Sequence, residues 1–256
     1  MLEAVHLVKR FSGVTVVNDV SFELRPGEVV GYLGPNGSGK TTTTRMLTGL
    51  LEPTSGRILV DGRRIDEDLP AFHRRLGYVP EEPHLYQFLS GREYLELVGR
   101  LRELPPGLLG SKIGAMLELF GLQAAADQSI RSYSKGMRQR LLIIAALLHD
   151  PDVLIFDEPD SGLDVTTMLV LRHLVRALAS QGKAILYSSH VLDIVEKLCA
   201  RVIVLHRGNV VADDSVEQLR SLQASGSLED VFGQLVQRVD PERTAHDIAE
   251  VVARSA

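Results

Sequence analysis

The sequence predicts an α/β protein: a core with a mainly parallel sheet, an antiparallel β-subdomain towards the N-terminal end, and a helical subdomain inserted in the α/β core. Three observations predict it. Residues 153–205 alternate apolar strand-like runs with helical runs, the βαβ rhythm of a doubly wound sheet. Residues 2–30 are short β-rich stretches, followed by a hairpin signal at Asp61-Gly62. Residues 85–149 switch to helical periodicity. With 256 residues, the chain suits one large domain or a core with an insert. The division read from this pattern is a main domain over 1–219, its insert at about 85–149, and a helical tail over 220–256.

The elements follow in order. Residues 2–9 and 14–17 are β-rich and 20–24 alternate; Pro26-Gly27 turns the chain into an apolar strand over 28–33. A helix over 41–50 ends near Gly49. A hairpin pairs 57–60 with 63–65, and 76–79 is a short strand closed by Pro80. In the insert, 91–101 is a helix, Pro105-Pro106 breaks the chain, 111–120 is a second helix and 137–148 a third, with Ser134 placed to cap it. The uninterrupted apolar run 153–156 predicts a central parallel strand. A helix over 165–180, a strand 184–188, a helix 191–198, a strand 202–205 and a hairpin return at 210–211 follow. The tail predicts helices over 215–222, 228–238 and 241–252.

Composition narrows the function classes. Hydrophobic content is 45%, enough for a sizeable core at this length. A net charge of −5 offers no footprint for nucleic acid. One cysteine, Cys199, excludes an internal disulfide and suits a reducing compartment. Charged residues interrupt the first apolar runs, so the N-terminus does not read as a signal peptide, and the longest apolar run, 141–148, is too short to span a bilayer.

Gly34-Pro35-Asn36-Gly37-Ser38-Gly39-Lys40-Thr41-Thr42 fits G-x-x-x-x-G-K-[ST], a phosphate-binding loop, and lies between a predicted strand and a predicted helix as that motif requires. Its glycines let the backbone N–H groups line an anion nest, and the following helix adds its free N–H groups and dipole. Lys40 is placed to reach the β- and γ-phosphates and the Thr41 hydroxyl to ligate Mg²⁺. Asp157 and Glu158 end the strand 153–156, at the edge where such sheets bind ligands: Asp157 is placed to hold Mg²⁺, Glu158 to take a proton from the attacking water. A parallel neighbour would bring His190, after the strand 184–188, to the same edge, where its ring could donate to the γ-phosphate. Ser134 and Gly136, at the start of the third insert helix, offer a hydroxyl and free N–H groups to an anion, although an ordinary N-cap would look the same.

Together these residues resemble the ATP-binding subunit of ATP-binding-cassette (ABC) transporters, over about residues 2–221. Residues 34–42 match its Walker A motif, and 153–158 match Walker B with its catalytic glutamate. Tyr133-Ser134-Lys135-Gly136-Met137 is similar to the signature Leu-Ser-Gly-Gly-Gln, keeping the Ser and the Gly that grip phosphate. Ser161-Gly162-Leu163-Asp164 matches the D-loop, His190 the switch histidine, and Phe11 the aromatic that stacks on adenine. The resemblance implies a P-loop NTPase core, ATP and Mg²⁺ as ligands, and ATP hydrolysis that powers transport through a membrane-spanning permease subunit on another chain. It further implies two cassettes meeting head to tail, each ATP lying between one Walker A and the other copy's Ser134 and Gly136, with Asp164 of the D-loop a further nucleotide-binding residue. The location implied is peripheral, on the cytoplasmic face of the cell membrane.

The form Ser-Lys-Gly-Met-Arg-Gln-Arg at 134–140 and the stretch 227–232 resemble the branch that works with ABC-2-type export permeases. One departure concerns chemistry: Glu81 stands where the family's Q-loop has glutamine. A bare carboxylate beside the γ-phosphate meets like-charge repulsion. Glu81 therefore either ligates Mg²⁺, the arrangement favoured because it keeps the oxygen function, or points away. Two other classes fit the sequence less well. A soluble ABC ATPase acting on ribosomes or DNA is disfavoured by the single cassette and the lack of a heptad run; a P-loop small-molecule kinase leaves 134–140 and His190 unexplained.

Overall fold

The computed structural model describes residues 1–221 and 232–233. Two sheets form the frame. The first holds β1 (Leu2–Phe11), β2 (Val14–Leu24), β4 (Ser55–Val60) and β5 (Arg63–Arg64) in the order β2-β1-β4-β5, every neighbour antiparallel. The second has six strands: β10 (Asn209–Ser215), β9 (Arg201–His206), β3 (Val29–Leu33), β8 (Ala184–Ser188), β7 (Val153–Asp157) and β6 (Leu76–Val79), in that order. From β9 to β6 the pairing is parallel, and only β10 runs against its neighbour.

The parallel strands explain why the sequence reads as unbroken apolar runs. Every residue of β3, β7 and β8 is buried. Their side chains still alternate between two cores. Val29, Leu33, Leu154, Phe156, Ile185 and Tyr187 face one core, together with α5 (Lys135–Leu147), α6 (Val165–Ser180) and α7 (Leu192–Leu198). Val30, Tyr32, Val153, Ile155 and Leu186 face the other, with the antiparallel sheet and α1 (Lys40–Leu47). Cys199 is buried in the first core.

The helical insert has a third core, built from α3 (Gly91–Leu101), α4 (Pro106–Leu119) and α5. Helix α5 belongs to two cores at once: Leu142, Ile143, Ala146 and Leu147 pack towards the sheet, and Leu141, Ile144, Ala145 and Leu148 towards the insert. A helix buried on both sides is apolar all round, as residues 141–147 of α5 are.

Several elements differ from expectation. Residues 14–24 form one strand rather than two. Between the pairs Leu7↔Val20 and Lys9↔Val17, β2 carries one residue more than β1, and Asp19 takes φ 54°. A bulge thus accounts for the broken alternation. Helix α4 begins at Pro106 rather than 111, because proline in a first turn lacks only an N–H that would have no intrahelical partner. Helix α2 (Leu69–Arg75) was not anticipated. Asp68 caps it, accepting from Ala71 N at 2.9 Å. Of the tail, α8 (Val216–Ser221) matches the first predicted helix; those expected over 228–238 and 241–252 lie outside the described residues, apart from Phe232 and Gly233.

Candidate nucleotide site

Four parallel strands end at one cavity of about 380 Å³. After β3 comes the loop Pro35 to Gly39, then Lys40, Thr41 and Thr42 of α1. After β6 comes Glu81, at the end of β7 Asp157 and Glu158, and after β8 His190; Val16 of β2 closes the lining. Because β3, β8, β7 and β6 are parallel neighbours, their carboxyl ends share one sheet edge, which is how residues 32 to 123 positions apart in the chain from Glu158 and Asp157 come together.

The loop conformation depends on glycine at Gly39, the N-cap of α1. Its φ is 105°, and a Cβ there would meet Val16 O at 2.8 Å. No side chain caps α1, so its first N–H groups remain available to an anion. Lys40 is buried, and its ammonium donates to Gly34 O and, at 3.2 Å, to Pro35 O. Burial lowers its pKa, against the opposing pull of Glu158, Asp157 and Glu81.

The Asp157 carboxylate is buried. Its Oδ1 accepts from Ser188 Oγ at 2.6 Å, and its Oδ2 has no hydrogen-bond partner. Burial raises its pKa; the Ser188 bond opposes this and the charge of Glu81 adds to it. Glu158 takes φ 51°, a left-handed conformation that costs a non-glycine residue on the order of 1 kcal/mol. It is held there by its own N–H, which donates to Ser188 O at 3.2 Å. Its Oε2 accepts from His190 N at 3.1 Å. His190 Nδ1 lies 3.1 Å from Oε1, in ion-pair range but not aligned as a hydrogen bond. Burial pushes the Glu158 carboxyl up to about 7, against the His190 N–H bond. A base half-ionised near neutral pH is well matched to taking a proton from water.

Not every residue singled out in the sequence reaches this cavity. Phe11 is 46% exposed, at the tip of the β1–β2 hairpin with the Lys9 ammonium 5.3 Å from its ring centre, and is not in the lining. Ser134 caps α5, accepting from Met137 N at 3.2 Å; Asp164 caps α6, accepting from Thr167 N at 2.9 Å. Ser134, Gly136 and Asp164 are likewise outside the lining. Gly136 nevertheless has a tight neighbour: a Cβ there would meet Gly162 O at 2.6 Å, so the start of α5 touches the segment leading to Asp164.

Sequence reasoning missed three participants. Val16 lines the cavity from another sheet. Asp160 accepts from Tyr187 OH at 2.7 Å and Ser189 Oγ at 3.2 Å, tying the turn after Glu158 to β8. Gln139 Nε2, buried, donates to Pro159 O at 3.1 Å and ties α5 to that same turn. None has a local signature, since each partner comes from a distant part of the chain. Glu81 lines both this cavity and an adjoining cleft with Arg45, Tyr78 and His84.

The donor set fits a metal–triphosphate. A buried carboxylate oxygen without a partner, a threonine hydroxyl, an ammonium and an uncapped helix start converge on one cavity. The comparisons agree with the geometry. The family model described as ABC transporter matches residues 17–161. The ABC transporter ATP-binding protein NatA of Bacillus subtilis is 39% identical over 220 residues, covering 86% of this chain and 89% of that protein. The Nod factor export ATP-binding protein I of Cupriavidus metallidurans is 35% identical over 233 residues, 91% of this chain and 77% of that protein. A solved structure of the ATP-binding subunit of an ABC transporter superposes with a TM-score of 0.86 at 32% identity, covering 92% of this chain and 99% of that one. The chain belongs to the ABC transporter family. Within it, this is an ATP-binding subunit, an ATP hydrolase.

Proposed function

We propose that this subunit works as one of a head-to-tail pair on the cytoplasmic face of a membrane, hydrolysing ATP to drive export through a permease on another chain, of the ABC-2 type. The observation that carries the reading is the convergence of Lys40, Asp157, Glu158 and His190 at one sheet edge. Lys40 exchanges its bonds to Gly34 O and Pro35 O for the β- and γ-phosphates. Glu158 orients the attacking water and takes its proton, while His190 holds the Glu158 carboxyl and directs its other ring nitrogen to the γ-phosphate. Thr41, Asp157 and Glu81 would hold Mg²⁺, which supplies charge neutralisation at the phosphate oxygens.

The second copy accounts for residues outside the cavity. Ser134, Gly136 and Asp164 lie outside the cavity of their own chain, and the resemblance pairs Ser134 and Gly136 with the ATP of the other copy. Phe11 stacks on adenine only if the exposed hairpin tip turns its ring to the base. Export is supported by relatives whose names describe export. A separate permease is supported by the described residues, among which no helix is long and apolar enough to cross a membrane.

Two measurements test this. The tagged chain, recovered from detergent-solubilised membranes of its own cells, is expected to bring a membrane-spanning protein in fixed ratio; recovery alone counts against the transporter reading. Glu158→Gln, expected to bind ATP and turn it over far more slowly, should elute as a dimer with ATP and as a monomer without it. A monomer at saturating ATP would sink the head-to-tail arrangement.

A further inference from the structure

Three carboxyl groups, Glu81, Asp157 and Glu158, line the nucleotide cavity with a single lysine, Lys40. The ligand is itself a polyanion. Asp157 is 2% exposed, and its Oδ2 is left without a hydrogen-bond partner in the lining. Glu81 differs from the other two: it is exposed, lies just past β6, and has no hydrogen bond or salt bridge among the described residues. Its field is nevertheless felt at Asp157, Glu158 and Lys40 alike, behind burial as the larger influence on each. The described residues contain no ready group of three or more His, Cys, Asp or Glu ligands for a metal ion. A cation bound here would take the rest of its shell from water and phosphate oxygens.

We propose that Glu81 makes nucleotide capture conditional on a divalent cation, so that the cavity admits the metal–triphosphate complex and rejects the free triphosphate. The proposal rests on the nucleotide-binding reading of this cavity. The physical reason is charge balance. A triphosphate arriving alone meets Lys40 and the loop N–H groups but also the unpaired carboxylate of Glu81 and the partnerless Oδ2 of Asp157. A triphosphate arriving with its cation brings the group that those oxygens lack. Glutamine at the same position keeps an oxygen for the cation and removes the repulsion towards a bare phosphate. Glu81 is thus a specificity-determining residue, acting on which form of the nucleotide binds. Glu82, its neighbour, lines only the adjoining cleft and serves as the control.

The test is equilibrium binding of ATP to the full chain, by calorimetry, once with excess Mg²⁺ and once with excess EDTA. Wild type is expected to lose on the order of 100-fold in affinity without the cation, and Glu81→Gln about tenfold less than that. With Mg²⁺–ATP bound alike by both proteins, Glu81→Gln is expected to bind metal-free ATP about tenfold more tightly than wild type does. Glu82→Gln is expected to follow wild type. Mg²⁺ alone, titrated in the same instrument, is expected to bind far more weakly than it does with ATP. Equal losses in wild type and Glu81→Gln would overturn the gate, as would wild type binding ATP equally well in EDTA, while leaving the nucleotide site intact. Lys40→Ala separates the two ideas: if it binds Mg²⁺–ATP as wild type does, the cavity is not the nucleotide site and both readings fall.

Discussion

Lys40 spends its ammonium on the carbonyls of its own loop when no phosphate is present. Losing it removes charge-assisted bonds to the nucleotide, each worth about 1.5–3 kcal/mol. Lys40→Ala should weaken Mg²⁺–ATP binding by about 10–100-fold and abolish turnover, as read by titration calorimetry and phosphate release. Glu158→Gln keeps the acceptor for His190 N and loses the proton acceptor; turnover should fall on the order of 10²–10⁴-fold with ATP affinity within a few-fold of wild type. Turnover within tenfold of wild type would remove Glu158 from its role. These residues were legible because each stands at the end of a strand or loop with its own pattern. Val16, Asp160 and Gln139 were not: a valine, an aspartate and a glutamine gain meaning only from β8, the turn at Pro159 and the phosphate loop, all remote in sequence.

At the scale of elements, legibility tracked length and caps. Helix α6 was bounded correctly at 165–180, with Asp164 as its cap and Gly182 just beyond it. The seven-residue α2 is too short for a hydrophobic period to declare itself, although Asp68 and Pro70 mark its start. The start of α4 is ambiguous in the sequence because Pro105-Pro106 reads equally as a break and as a first turn. The start of α5 carries the element's functional prediction. Gly136→Ala drives a Cβ into Gly162 O, a backbone atom that cannot rotate aside. The variant should lose about 1–3 kcal/mol of stability in urea titration, because the segment 161–164 must shift. Nucleotide affinity of the separate chain should stay within about twofold, since Gly136 is outside the cavity lining. ATP-dependent dimerisation of Gly136→Ala on a Glu158→Gln background should fail.

For the whole molecule, the junction between insert and sheet carries a proton-linked term. His149 follows α5, is half-buried, and its Nε2 lies 2.9 Å from Leu76 O. Burial, aided by the charge of Arg102, pushes its pKa down to about 4. The unfolded chain takes this proton near pH 6.5. Above that pH the group adds no pH dependence. As pH falls from about 6.5 towards 4, the unfolded state is protonated first and the native state loses stability; below about 4 both are charged and the loss levels off. Partial contact with solvent limits the effect to on the order of 1 kcal/mol. His149→Gln, whose amide can also donate to Leu76 O, should lose less stability than wild type between pH 7 and pH 5, as read by urea midpoints. Identical losses would show that His149 is not the group responsible.

Helix α5 sits in two cores, and this fixes the order in which the molecule comes apart. Helices α3 and α4 pack into the insert's own core, and α4 reaches the neighbouring core through the partly buried Met116. They can open as a unit, leaving α5 behind on the sheet. The amides of Leu142, Ile143, Ala146 and Leu147 cannot be released without dismantling the parallel strands. Native-state hydrogen exchange should therefore resolve two classes in what the chain order presents as one subdomain. Amides of α3 and α4 should exchange at a free energy below that of global unfolding, and those of α5 only with it. The insert, by this measure, ends before α5 begins: the helix that opens with Ser134 and Gly136 is energetically a part of the sheet domain, on loan to its neighbour.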